Sequence, residues 1–247
     1  MLLRTIICAL LLAAPAADAA AGTGRTRPVI PMENLADTTS LHDVYERCIE
    51  ASGGREALRA LDTRVLTARL VTDLAWDPPV HEVDTLVAYV KAPDAYLIVH
   101  RSAKGTWVEG SSEEGHWKRE VDGSVVETAG PDPFIGWLTD VRFPANLDAA
   151  FPEAELVGID VIDNRHFYVV AVDDRPVHNL YFDVETGRLA RLGFHHVLED
   201  FVATDGALFP GRVVHSRKGG SDVFEIESVH QNIPLDDVLF EPPAALD

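Results

Sequence analysis

Cysteine is almost absent: the 247 residues contain Cys8 and Cys48 only. Cys8 falls in an N-terminal stretch that reads as cleavable, and one remaining thiol cannot close an internal disulfide. The core must therefore hold by packing alone. No apolar run approaches the roughly eighteen residues of a membrane-spanning helix. Basic residues are scarce, with 21 Lys and Arg against 40 Asp and Glu and a formal charge of −19. That balance excludes nucleic acid as a partner and unaided adsorption to anionic membranes. An acidic surface favours a soluble monomer.

Catalytic signatures are missing as well. There is no G-x-S-x-G, no H-E-x-x-H and no phosphate-binding glycine loop, so neither an enzyme nor a cofactor is expected. Paired acids such as Glu113-Glu114, Asp173-Asp174 and Asp236-Asp237 fall in turns, where solvent accounts for them. Ten histidines are present, but His195 and His196 are adjacent on a strand and point to opposite faces. His215 and His230, on neighbouring hairpin strands, are the pair that could approach. Without a cysteine cluster or a helical i,i+4 histidine pair, no metal site is expected.

The N-terminus reads as a secretory signal over residues 1–19. Arg4 gives the positive region, Ile6 to Ala14 the apolar stretch, and Ala17-Asp18-Ala19 the small-x-small cleavage site. This predicts a periplasmic or secreted protein that begins near Ala20. Residues 20–39, with Gly22, Gly24, Pro28 and Pro31, read as a disordered tether. The remaining residues, 40–247, are expected to form one domain.

That domain opens with a helix. Ser40 is a suitable N-cap with Asp43 three residues on, and Leu41, Val44, Tyr45, Cys48 and Ile49 form one apolar stripe. Cys48 on that stripe is a small buried hydrophobe. Gly53-Gly54 ends the helix, and a short second one runs from Arg55 to Leu61. From Arg64 the period changes to two, and it persists to His230. Turns such as Asp122-Gly123, Asp163-Asn164, Asp205-Gly206 and Gly219-Gly220 punctuate it. The pattern predicts a mainly β protein, a single curved antiparallel sheet of about eleven or twelve strands. Its strand His166 to Val172 is apolar on both faces, which requires cover on both sides.

One stretch breaks the rhythm. Pro131 to Pro152 carries Phe134, Trp137, Leu138 and Phe143 among four prolines, so it cannot form a long helix or join a ladder. It is expected to act as a lid on the open side of the sheet. Trp107 and Trp117, in adjacent hairpin arms, are the candidate walls beneath it. Trp76, beside Asp77-Pro78-Pro79, belongs to a loop at the barrel opening.

Several segments in order resemble one family. They are YERCIEASGGREALRAL (Tyr45 to Leu61), YVKAP (Tyr89 to Pro93), GHWKREVDG (Gly115 to Gly123), DVETGRLARL (Asp183 to Leu192), and Asp205-Gly206 with Phe209-Pro210. The last is NIPLDDVLFEP (Asn232 to Pro242). Together they resemble the periplasmic outer-membrane lipoprotein-sorting proteins, the LolA/LolB-like superfamily. The resemblance implies an incomplete antiparallel β-barrel whose apolar concave face is covered by helices. It also implies binding of acyl chains or a similar apolar ligand, without naming the lipid or lipoprotein. The alternative is a structural or interaction module of the same fold with a filled core.

Overall fold

A computed structural model describes residues 29–32, 38–112, 115–130, 136–175 and 178–243. The expected signal segment lies outside the described residues.

Helix α1, Leu41–Ala51, forms for the reasons its sequence suggests. The Asp43 amide donates to Ser40 Oγ at 3.2 Å and the Ser40 amide donates to Asp43 Oδ2 at 2.8 Å, a reciprocal capping box. Val44, Tyr45, Cys48 and Ile49 are buried on one face. Gly53, at φ 120°, turns the chain out of the helix into α2, Arg55–Arg59. A side chain there would also collide, since a Cβ on Gly53 would lie 2.1 Å from the Gly206 carbonyl.

The rest is mainly strand. β1 is Ile30–Pro31, β2 Thr63–Leu74, β3 Val80–Lys91, β4 Ala95–Ser102, β5 Gly105–Ser112, β6 Gly115–Arg119 and β7 Val125–Glu127. After two single-turn helices, α3 (Gly136–Thr139) and α4 (Leu147–Ala150), come β8 Glu155–Ile162, β9 Arg165–Ala171, β10 Leu180–Asp183, β11 Leu189–Leu192 and β12 His196–Glu199. A small hairpin of β13 (Val202–Thr204) and β14 (Ala207–Phe209) precedes β15 Arg212–Arg217 and β16 Gly220–Gln231.

Fourteen of these strands make one open antiparallel sheet in the order β1-β8-β9-β10-β11-β12-β15-β16-β2-β3-β4-β5-β6-β7. The sheet is two meanders fastened by their outermost strands: β16 pairs with β2 from Leu74↔Gly220 to Arg64↔Gln231, with one irregularity between Ile226 and Ser228. Its free edges are β7 and β1. The chain that links β7 to β8, through α3 and α4, must therefore cross from one edge to the other.

Three details differ from expectation. The main sheet has fourteen strands rather than eleven or twelve. Within the segment read as a tether, Ile30 and Pro31 pair with Ile159 and Gly158. The alternation read as continuous from Arg64 to His230 breaks at Asp200, whose φ is 50°, and the following hairpin β13–β14 leaves the main sheet. Strand β9 does have cover on both faces. Tyr168 and Val170 enter the main core, while Phe167 and Val169 pack behind the sheet with Tyr181, Ala190 and Val29.

Candidate functional site

The inward face of the sheet is apolar because alternation puts Leu66, Ala68 and Leu70 of β2, Leu86, Ala88 and Val90 of β3, and their counterparts on one side. Three pieces cover it: α1, the hairpin β13–β14, and the crossing segment with α3 and α4. The hairpin is fixed to the end of α1 by the Leu208 amide, which donates to the Ser52 carbonyl at 2.8 Å.

The crossing segment fills the face with side chains rather than with backbone. Trp137 and Leu138 are buried in the same core as the sheet, with Val141, Leu147 and Phe151. The Trp137 ring lies 6.0 Å from Phe209 and 6.1 Å, edge-on, from Phe224. Phe143 is half-buried against this core and lies beside Gly136. The expected lid thus places Trp137, Leu138 and Phe143 over the concave face. Phe134 lies outside the described residues.

Arg64 holds the segment down. Its side chain is 1% exposed. Nη1 donates to the carbonyls of Trp137 at 3.3 Å and Asp140 at 3.2 Å, and Nη2 donates to that of Val141 at 2.6 Å. The guanidinium also sits 4.6 Å over the Phe209 ring. Burial pulls its pKa down to about 10, against the pull of Asp140, so it stays cationic at neutral pH. Arg142 adds an outer tie through the Leu61 carbonyl at 3.1 Å and Asp62 at 3.2 Å. Arg64 was missed in the sequence, although it shares the parity of Leu66, Ala68 and Leu70 and so had to face inward.

Between the three covers lies a small cavity lined by Cys48, Trp137, Phe143, Leu198, Phe201 and Phe209, among others. Its free volume is ≈ 20 Å³, room for a water molecule. Cys48 is 1% exposed and burial pushes its thiol up to about 12, so it is a packing residue and not a nucleophile.

The two wall tryptophans separate. Trp107 is on the concave face, stacked on His100 at 5.0 Å with Lys118 Nζ 5.1 Å above it. Trp117 is on the outer face. It packs with Leu97, Val108 and Phe240, and its Nε1 donates to the Phe240 carbonyl at 3.2 Å. A cavity-wall role for Trp117 is thereby corrected. The reason is parity: Trp117 pairs with Gly110, and Gly110 is three residues from Trp107, hence on the other face. His215 and His230 do not approach either. His215 lies opposite Asp222, and His230 is eight residues further along β16, opposite Val65, about 26 Å away at 3.3 Å per residue. Among the described residues no group of three or more metal-ligating side chains is assembled.

No family model matches the sequence, and no curated protein matches it. Solved structures do. A DUF1329 family protein from Desulfovibrio piger superposes with TM-score 0.58 at 15% identity, over 85% of this chain and 100% of the other. A LolA superfamily protein from Nitrosomonas europaea gives 0.56 at 13%, covering 83% and 99%. An outer membrane lipoprotein-sorting protein domain from Vibrio parahaemolyticus gives 0.52 at 11%, covering 79% and 97%. The chain has the LolA/LolB-like fold, an unclosed antiparallel barrel with its concave face under helices.

Proposed function

We propose that the protein is an exported, non-catalytic carrier for an apolar ligand, an acyl chain, lipid or lipoprotein, in the cell envelope. The observation that carries this reading is the cover. Trp137, Leu138, Val141, Leu147 and Phe151 occupy an apolar trough, yet their segment adds no strand to the sheet and is held by side-chain bonds from Arg64 and Arg142. They are place-holders that a ligand can replace. Burying those five side chains is worth roughly 8–15 kcal/mol at about 1.5–3 kcal/mol each. Twelve methylenes at about 0.8 kcal/mol each return about 10 kcal/mol. The exchange is close to balanced, as loading and unloading require.

A second reading rests on the small size of that cavity, ≈ 20 Å³: a core already filled at this place suits a structural or interaction module. One experiment separates the two. Delipidated protein is titrated with a fluorescent naphthylamine probe while hydrogen exchange follows residues 136–151. The carrier reading expects saturable binding, displaced by long-chain esters, with faster exchange of that segment in the bound state. Absence of binding leaves the filled module.

A further inference from the structure

One end of the concave face is polar, and its hydrogen bonding is incomplete. His196 on β12 pairs with His215 on β15, which pairs with Asp222 on β16. The two imidazoles stack at 4.4 Å with 8° between their planes. Asp222 is wholly buried; its Oδ1 accepts from Thr72 Oγ1 and from Arg217 Nη2, both at 2.6 Å. Its Oδ2 stands 3.5 Å from His215 Nδ1 without a hydrogen bond. His196 Nε2 and Arg217 Nε are likewise buried without partners.

These unpartnered groups have a definite chemistry. His196 Nδ1 lies 3.2 Å from the Leu192 carbonyl, so Nδ1 carries the proton and Nε2 presents a lone pair. Burial holds the pKa of this ring down at about 4, which keeps it neutral at pH 7. The unmet groups are therefore two acceptors, His196 Nε2 and Asp222 Oδ2, one donor, Arg217 Nε–H, and His215 Nδ1, which donates or accepts according to its tautomer. An ammonium offers only donors and is repelled by Arg217. A carboxylate offers only acceptors and is repelled by Asp222. A hydroxyl is both donor and acceptor, and it is neutral.

The cluster is continuous with the apolar trough. Leu198, Val213 and Phe224 belong to the concave core, and each is two residues from His196, His215 and Asp222 respectively on the same face, about 6.6 Å along its strand. Leu198 also lines the cavity. His215 and Arg217 reach solvent, with side chains 14% and 18% exposed, so the cluster lies at a rim of the concave face.

The geometry points to a headgroup subsite: His196, Asp222 and Arg217 bind the neutral, hydroxyl-bearing head of an amphipathic ligand whose apolar tail lies under the cover. This rests on the carrier reading and names the ligand class for it. The test measures displacement of the naphthylamine probe from the delipidated full chain. The competitors are dodecyl glycerol ether, dodecyl methyl ether, dodecanoate and dodecylammonium. The glycerol ether should compete at least about ten-fold better than the methyl ether, the value of one retained hydrogen bond to a buried charged partner, and better than both charged amphiphiles. His196→Leu should reduce that preference to within about two-fold while leaving the methyl ether unchanged. If His196→Leu does not fold, His215→Phe, which keeps the ring stack, should weaken the same preference. Equal competition by the two ethers against wild-type protein overturns the subsite, with water alone filling the cluster, and leaves the carrier reading intact. If the probe itself fails to bind, the carrier reading falls and the subsite with it.

Discussion

Acidification should weaken this fold in a defined window, and His196 should account for much of it. The ring stacks on His215 at 4.4 Å, and His195 and Asp222 are near enough to act on its charge. Burial is the largest cause of its low pKa, followed by the neighbouring His215. The folded state thus binds the proton less well than the unfolded chain, where the ring has its ordinary value of 6.5. Stability is complete above that value and is lost as pH falls towards about 4, where the folded ring finally titrates. At 1.36 kcal/mol per pH unit, the full loss is about 3 kcal/mol, a large share of the roughly 5–15 kcal/mol that holds a domain. His195 shifts in the same direction, again through burial first. His100 is also held down at about 4 by burial, but Asp84 Oδ2, 3.1 Å from its Nε2, can pair with the protonated ring and return part of the cost. His196 is the cleaner test. Urea unfolding followed by circular dichroism at pH 7 and at pH 4.5 should give a difference in wild-type protein that shrinks by about 2 kcal/mol in His196→Leu, since the folded ring is not yet fully titrated at pH 4.5. An unchanged pH profile in the variant would refute the buried, neutral imidazole.

Arg64→Met should free the cover, since three carbonyls lose their donor; amides of 136–151 should exchange about a hundred-fold faster, for about 3 kcal/mol of lost hydrogen bonding, with the sheet's circular dichroism intact. Val44→Asp or Ile49→Asp places an unpaired charge on the buried face of α1 and should cost about 3–5 kcal/mol in urea unfolding. Gly53→Ala forces a Cβ to 2.1 Å from the Gly206 carbonyl at a φ of 120°. The hairpin β13–β14 must then shift, which should cost more than about 2 kcal/mol and be visible as added exchange at Leu208.

Much of this was legible locally. The capping box and apolar stripe of α1 are short-range signals, and Asp163-Asn164 and Asp205-Gly206 take positive φ as their residue types suggest. The failures are nonlocal. Nothing near β2 marks β16 as its partner, because pairing is chosen by the whole sheet. Trp107 and Trp117 group together by residue type, whereas the β5–β6 register, with Gly110 opposite Trp117, separates them. The inward Arg64, Thr72, Asp84 and His100 sit at core parity along otherwise apolar strands. They read as surface residues only if charge is given more weight than position.

The pairing of β16 with β2 has a kinetic consequence. Thr72 and Asp222 are 150 positions apart, so the contact that joins the two meanders closes a very long loop. Neighbouring strands can zip early, but long-range pairing of this kind is slow. Until β16 docks, each half presents one greasy face with no opposing wall. Synthesis must pass residue 231 before the trough exists at all, and a nascent chain short of that point is a sticky, protease-sensitive intermediate for as long as its last strand is missing.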